Sequence, residues 1–185
     1  VKLLYNPWEI ADYIRELRKE KEMCAFDYET NALKQEYPKS KIASVSISNG
    51  KITIAFPYSK EIKKPFKEFL TDPDIMKIAS NLKFEDRWSR YKLHTEVANW
   101  GWDTMIAAHV IDSRPDITGL KFQTYINFGV EDYSVIVDKM LHTGKELYNN
   151  VFDIEIRDLL LYNGLDSLFE YKLAKKQMKI LGNRK

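Results

Sequence analysis

The stretch "CAFDYETNAL", Cys24–Leu33, decides how this chain is read. Its first residues, together with Met23, form an apolar run with strand character, and that run leads straight into Asp27 and Glu29. In a strand, residues two apart project to the same side. The pattern therefore aims two carboxylates at one spot, which is costly unless a cation lies between them. A solvated strand end or turn is the plainer alternative, and the apolar residues in front of the acids argue for a buried site.

The flanking sequence supplies a sheet and helices to surround that spot. "NPWEIADYIRELRKEKE" (6–22) places Ile10, Tyr13, Ile14 and Leu17 at helical spacing after an Asn-Pro start. "KIASVSISNGKITIAFPY" (41–58) alternates on both sides of Asn-Gly, which predicts a hairpin. "KKPFKEFLTDPD" (63–74) predicts a short helix, "IMKIAS" (75–80) a brief buried strand, and "NLKFEDRWSRYKL" (81–93) a helix. A further helix starts in "WDTMIAAHVIDS" (102–113), with Asp103 or Thr104 as its cap. "GLKFQTYINF" (119–128) reads as helical, "YSVIVDKML" (133–141) fits helix or strand, and a long helix runs from about 153 to 180. Strands first and then alternating strand and helix indicate a mixed α/β sheet with helices packed on it.

Composition narrows the class. With 185 residues, 44% apolar and 30% charged, the chain suits one soluble globular domain. The net charge is only +2, with basic residues clustered in "KEIKKPFKEF" and "AKKQMK". One cysteine excludes an internal disulfide, and His94, His109 and His142 lack metal-ligand spacing. Cys24, inside its apolar run, reads as core rather than nucleophile, and Trp8, Trp88, Trp100 and Trp102 read as core anchors. The sequence contains no apolar run near the ~20 residues of a membrane span, so the expectation is a soluble protein of a reducing, cytoplasmic compartment with no membrane partner.

Two more clusters carry chemistry. "SNLKFEDRWS" (80–89) brings Asn81, then Glu85 and Asp86, onto a helix; in isolation, ordinary capping by Ser80 or Asn81 is the preferred reading of this segment. "YNGLDSL" (162–168) puts Tyr162 and Asp166 four apart, on one helix face, with Asp158 a turn earlier. Gly164 in mid-helix costs ~1 kcal/mol against alanine, which a close approach by another backbone or a ligand would justify.

Taken in order, "FDYETNAL", "NLKFEDRW", "WDTMIAAHVIDS" and "YNGLDSLFEYKL" resemble the proofreading 3′–5′ exonuclease domain of the DNA polymerase I family, within the DEDD superfamily. The likeness spans residues 3–181. Leu161 stands where the histidine variant of that superfamily has its histidine, so the tyrosine variant fits. The family's second motif ends in aspartate, whereas Glu85 holds that register here and is followed by Asp86, which lies ~100° round the helix. Glu85 is the favoured acid and Asp86 its rival.

The resemblance implies a ribonuclease H-like mixed sheet flanked by helices. It also implies a single exonuclease domain over residues 1–185, excised from or accompanying a larger DNA polymerase. Its expected activity is hydrolysis of single-stranded DNA 3′ ends to nucleoside 5′-monophosphates by a monomer, in a bacterial or viral replication setting. Asp27, Glu29, Glu85 and Asp166 would hold two divalent cations, Mg²⁺ or Mn²⁺. Tyr162 would orient the attacking water, being a poor base with its ordinary pKa of ~10. Leu33 and Phe84 would wedge or stack on terminal bases, and Asn81 and Lys83 would touch the sugar-phosphate path. A ribonuclease D-like RNA exonuclease and a catalytically silent nucleic-acid-binding module are the competing expectations.

Overall fold

The computed structural model describes residues 1–142 and 146–182. A six-stranded mixed sheet is ordered β1-β4-β3-β2-β5-β6, with β1 at Lys2–Leu3, β2 at Cys24–Thr30, β3 at Ile42–Ser48, β4 at Thr53–Pro57, β5 at Lys77–Ala79 and β6 at Trp100–Asp103. Strands β2, β3 and β4 form an antiparallel meander, while β1 joins β4, β5 joins β2 and β6 joins β5 in parallel. The predicted hairpin is therefore the centre of the sheet. Its turn spans Asn49–Ile52: Asn49 Oδ1 accepts from the Lys51 and Ile52 backbone N–H groups, and Gly50 takes φ +83°. Gly50 is needed twice over, because any Cβ there would collide with the Tyr171 ring.

Alternation along these strands separates two faces. One carries Phe26, Tyr28, Val45, Ile47, Ile54 and Phe56, which pack with α1 (Pro7–Glu20) and α2 (Lys63–Leu70) into the main core. The Phe26 ring lies 5.3–6.2 Å from those of Tyr28, Phe66, Phe69 and Trp100. Fully buried side chains of this size each contribute about 1.5–3 kcal/mol. Helix α1 starts as read from the sequence: Asn6 accepts from the Trp8 N–H and Pro7 takes the first turn.

The opposite face is small and polar. Ser46 pairs with Asp27 and Ser44 with Glu29 across β2 and β3, beside Ala25 and Ala55. Onto this face lies α7 (Ile156–Gly182), the longest helix. Short side chains let it come close: a Cβ on Gly164 would sit 3.3 Å from Ala55 Cβ and 2.3 Å from Val1 Cγ1. The close approach inferred for Gly164 is thus to Ala55 and Val1, both protein side chains.

Strands β1 and β6 were not legible in the sequence reading, being two and four residues long. The segment read as one helix at 81–93 divides into α3 (Leu82–Trp88) and a π-helical turn (Ser89–Leu93). The remaining α-helices are α4 (Thr104–Ile111), α5 (Leu120–Phe128) and α6 (Asp138–Leu141), so only the last four residues of "YSVIVDKML" are helical and the rest is coil and turn. Of the tryptophans, Trp88 is fully buried, but Trp8 is 80% exposed and is not a core anchor. It sits in the first turn of α1, off the core stripe of Ile10, Ile14 and Leu17. Cys24 is buried in the core, and burial pushes its thiol up to about 12. No helix among the described residues is long and apolar enough to cross a membrane.

Candidate active site

Strand β2 and helix α7 build the site between them. Carboxylate oxygens of Asp27, Glu29 and Asp166 all lie within 4.8 Å of one another. The strand period brings Asp27 and Glu29 together, and the contact of α7 with the serine face of the sheet brings Asp166 to them. Asn163 fixes that contact. Its carboxamide donates to Asp27 (2.6 Å) and accepts from Ser44 (3.1 Å), while Ser46 donates to its backbone carbonyl (2.7 Å).

Helix α5 contributes a counter-charge. Lys121 donates to Asp166, and its ammonium lies 4.9 Å from the Tyr133 ring centre and 4.3 Å from that of Tyr162. Tyr133 donates to the same Asp166 oxygen at 2.6 Å. The Tyr133 and Tyr162 rings are 6.0 Å apart, so the phenol of Tyr162 stands at the wall of the acid cluster.

Two further acids are buried beside the cluster, outside the group whose oxygens lie within 4.8 Å of one another, so the expected ligand Glu85 is not brought into that group. Glu85, on α3, is 2% exposed, and its Oε2 has no hydrogen-bond partner among the described residues. Glu170, one turn after Asp166 on α7, is 1% exposed and also leaves Oε2 without a partner. Asp86 points elsewhere: its two oxygens accept from Arg90 (2.7 Å) and from the indole of Trp100 (3.1 Å). The expected cap on α3 is replaced. Asn81 is left-handed (φ 65°) and makes no side-chain cap bond. Asp103 instead accepts from the Asn81 and Leu82 N–H groups and from those of Met105 and Ile106, so one carboxylate caps α3 and α4 together.

Crowding of like charges in a dry setting dictates the protonation behaviour. Burial, followed by the Asp166 charge, raises Asp27 to about 8. Burial raises Glu29 well above its ordinary value, with Asp27 and Asp166 adding to the effect. Burial and then the Asp27 charge do the same to Glu85. For Lys121, burial alone would lower the pKa, but the Asp166, Glu29 and Asp27 charges outweigh it and raise the value. Burial and the Asp166 charge push the Tyr162 phenol far above its usual value, so it keeps its proton. The hard oxygens of Asp27, Glu29 and Asp166, gathered within 4.8 Å, fit a divalent cation.

Two clefts share Leu33 and Phe84, and the first of them reaches the acid cluster at Glu29. One, of about 300 Å³, is lined by Glu29, Leu33, Phe84, His142, Asn149 and Tyr162 among others. The other, of about 370 Å³, runs past Leu33, Lys34, Asn81, Lys83, Phe84 and Arg87. The four residues expected to meet nucleic acid thus share one surface. Leu33 is 72% exposed, and Phe84 packs partly against the core and 5.9 Å from Trp88. Asp158 lies on a neighbouring groove with Tyr133, Leu161 and Tyr162.

Sequence reasoning named Asp103 as the cap of α4 but missed its second role on α3, and it missed Asn163, Lys121, Tyr133 and Glu170. Glu170 alone had a readable signal, since Tyr162, Asp166 and Glu170 recur at four-residue steps.

Residues 3–181 match the 3′–5′ exonuclease family of DNA polymerase A type. No curated protein matches the chain by sequence. Among solved structures, Escherichia coli RNase D, an exoribonuclease involved in structured RNA processing, superposes with TM-score 0.72 at 14% identity, over 98% of this chain and 45% of its own. Pol1 of M. smegmatis gives 0.71 at 12% identity, over 98% of this chain and 28% of its own. Brucella melitensis NrnC bound to pGG gives 0.69 at 20% identity, over 87% and 74%, and NrnC has also been solved with bound Mg²⁺. These likenesses establish the ribonuclease H-like exonuclease fold.

Proposed function

Since the chain belongs to the 3′–5′ exonuclease family of DNA polymerase A type and is therefore a nuclease, we propose that it trims single-stranded DNA from the 3′ end as a proofreading unit, with two divalent ions as cofactors. The observation that carries this reading is the meeting of Asp27, Glu29 and Asp166 oxygens within 4.8 Å. In this reading Asp27, Glu29 and Asp166 hold one ion, while Asp27 and Glu85 hold the other. Two such ions, Mg²⁺ or Mn²⁺, supply an activated water and absorb charge on the phosphate.

The chain's own groups do the rest. Asn163 holds Asp27 in place by its 2.6 Å bond. Lys121 and Tyr133 orient Asp166. The protonated Tyr162 phenol aligns the attacking water by hydrogen bonding and is not its base. Glu85 fills the second-motif role because Asp86 is committed to Arg90 and Trp100. Leu33 and Phe84 flank the terminal base, and Asn81 and Lys83 meet the backbone leading to it.

RNA is the second candidate substrate, favoured by the likeness to RNase D. The deciding experiment follows release of 5′-mononucleotides from 3′-labelled single-stranded DNA and RNA of one sequence, in Mg²⁺ and in EDTA. Faster loss of DNA that stops in EDTA is expected. Preferential loss of RNA would transfer the function to the second reading, and no hydrolysis of either would remove the catalytic one.

A further inference from the structure

We propose that Glu170 is a fifth carboxylate of the metal centre, directing its free oxygen to the cation position of Asp27 and Glu85; this rests on the reading that cations bind here. Glu170 follows Asp166 by one turn of α7, on the same face of that helix. Its Oε1 accepts from the Ser80 backbone N–H at 3.2 Å, which anchors the carboxyl where β5 ends and the chain turns toward α3 and Glu85. Among the described residues its Oε2 has no partner and no access to solvent, and Glu85 Oε2 is in the same condition. The charges that bear most strongly on Glu170 are those of Asp27, Glu85 and Asp166, all repulsive.

Two dry carboxylate oxygens, unpartnered among the described residues and repelled by Asp27, need a positive charge for both to ionise. Lys121 serves the other side of the cluster through Asp166. A cation between Asp27, Glu85 and Glu170 meets the requirement with hard oxygen ligands. The longer reach of glutamate over aspartate at position 85 suits an ion drawn toward α7. A purely structural Glu170 would need only the oxygen that accepts from Ser80, and glutamine supplies that oxygen without the charge.

That difference is the test. Mn²⁺ is titrated into the whole chain, without nucleic acid, and bound ions are counted by electron paramagnetic resonance and calorimetry. The wild type is expected to bind two ions. Glu170→Gln should keep the first and weaken the second at least about ten-fold, Glu170→Asp should fall between, and Asp166→Asn should weaken the first. Melting in EDTA monitors folding, and Glu170→Gln should melt no lower than wild type because glutamine matches its size and keeps the bond from Ser80. A Glu170→Gln isotherm superimposable on the wild type overturns this inference and leaves the nuclease reading standing. A wild type that binds no Mn²⁺ overturns both.

Discussion

Replacing Glu85 with glutamine and, separately, Asp86 with asparagine distinguishes two adjacent acids whose surroundings differ sharply. Asp86 has an exposed partner, Arg90, four residues on, and a bond from Trp100 that an asparagine carbonyl can accept equally well. Such half-exposed pairs add little stability, so Asp86→Asn should move Tm by no more than about 2 °C and leave hydrolysis within about two-fold. Glu85 is 2% exposed, and burial followed by the Asp27 charge raises its carboxyl well above the ordinary value, which favours the neutral form when no cation is present. Glu85→Gln is then nearly isosteric and neutral in EDTA. With cations the outcome separates. A hundredfold excess over Kd adds about 2.7 kcal/mol to the wild type, or roughly 5–11 °C in a chain of this size. Glu85→Gln should lose a large part of that gain, and hydrolysis should fall about 10–100-fold. Thermal melts with and without MgCl₂, read beside release of labelled 3′ nucleotides, measure both quantities. An Asp86→Asn protein that is inactive beside an active Glu85→Gln protein would refute the assignment.

Further outcomes follow from the same geometry. Lys121→Met removes the internal counter-charge of Asp166 and should cost about 3 kcal/mol in EDTA, with much of the loss restored by Mg²⁺; equal losses in the two buffers, seen by denaturant titration, would count against a shared site. Tyr162→Phe should lower kcat about 10²-fold while KM stays near wild type, and a matched rise in KM would point to substrate binding instead. Asp27, raised from 3.8 to about 8, binds more protons in the folded apo state than in the unfolded chain. Its contribution to apo stability is therefore present at low pH and is lost as pH climbs from about 4 to about 8. A cation requires the ionised form, so Asp27 alone should raise Mg²⁺ affinity about 50-fold between pH 6 and pH 8, which calorimetry at the two pH values would read; a flat profile would place Asp27 outside the site.

Local pattern determined a large share of this protein. Alternation wrote both faces of β2, β3 and β4, including the serines that become the floor under α7. Helical spacing wrote α1, and the short-range steps Asp27 to Glu29 and Tyr162 to Asp166 wrote which groups share a side. Those signals survive in sequence because a period of two or of 3.6 is a property of consecutive residues. The tertiary structure decided the rest: that Asp103 caps two helices at once, that Lys121 and Tyr133 arrive from other segments to hold Asp166, and that Asn163 ties α7 to Asp27. It also separated Glu85 from Asp86, turning one into the dry interior and the other toward Arg90 and Trp100. The physical reason is that hydrogen bonds and charge pairing act across space. They join residues as far apart as 27 and 163, and nothing in either neighbourhood announces the partner.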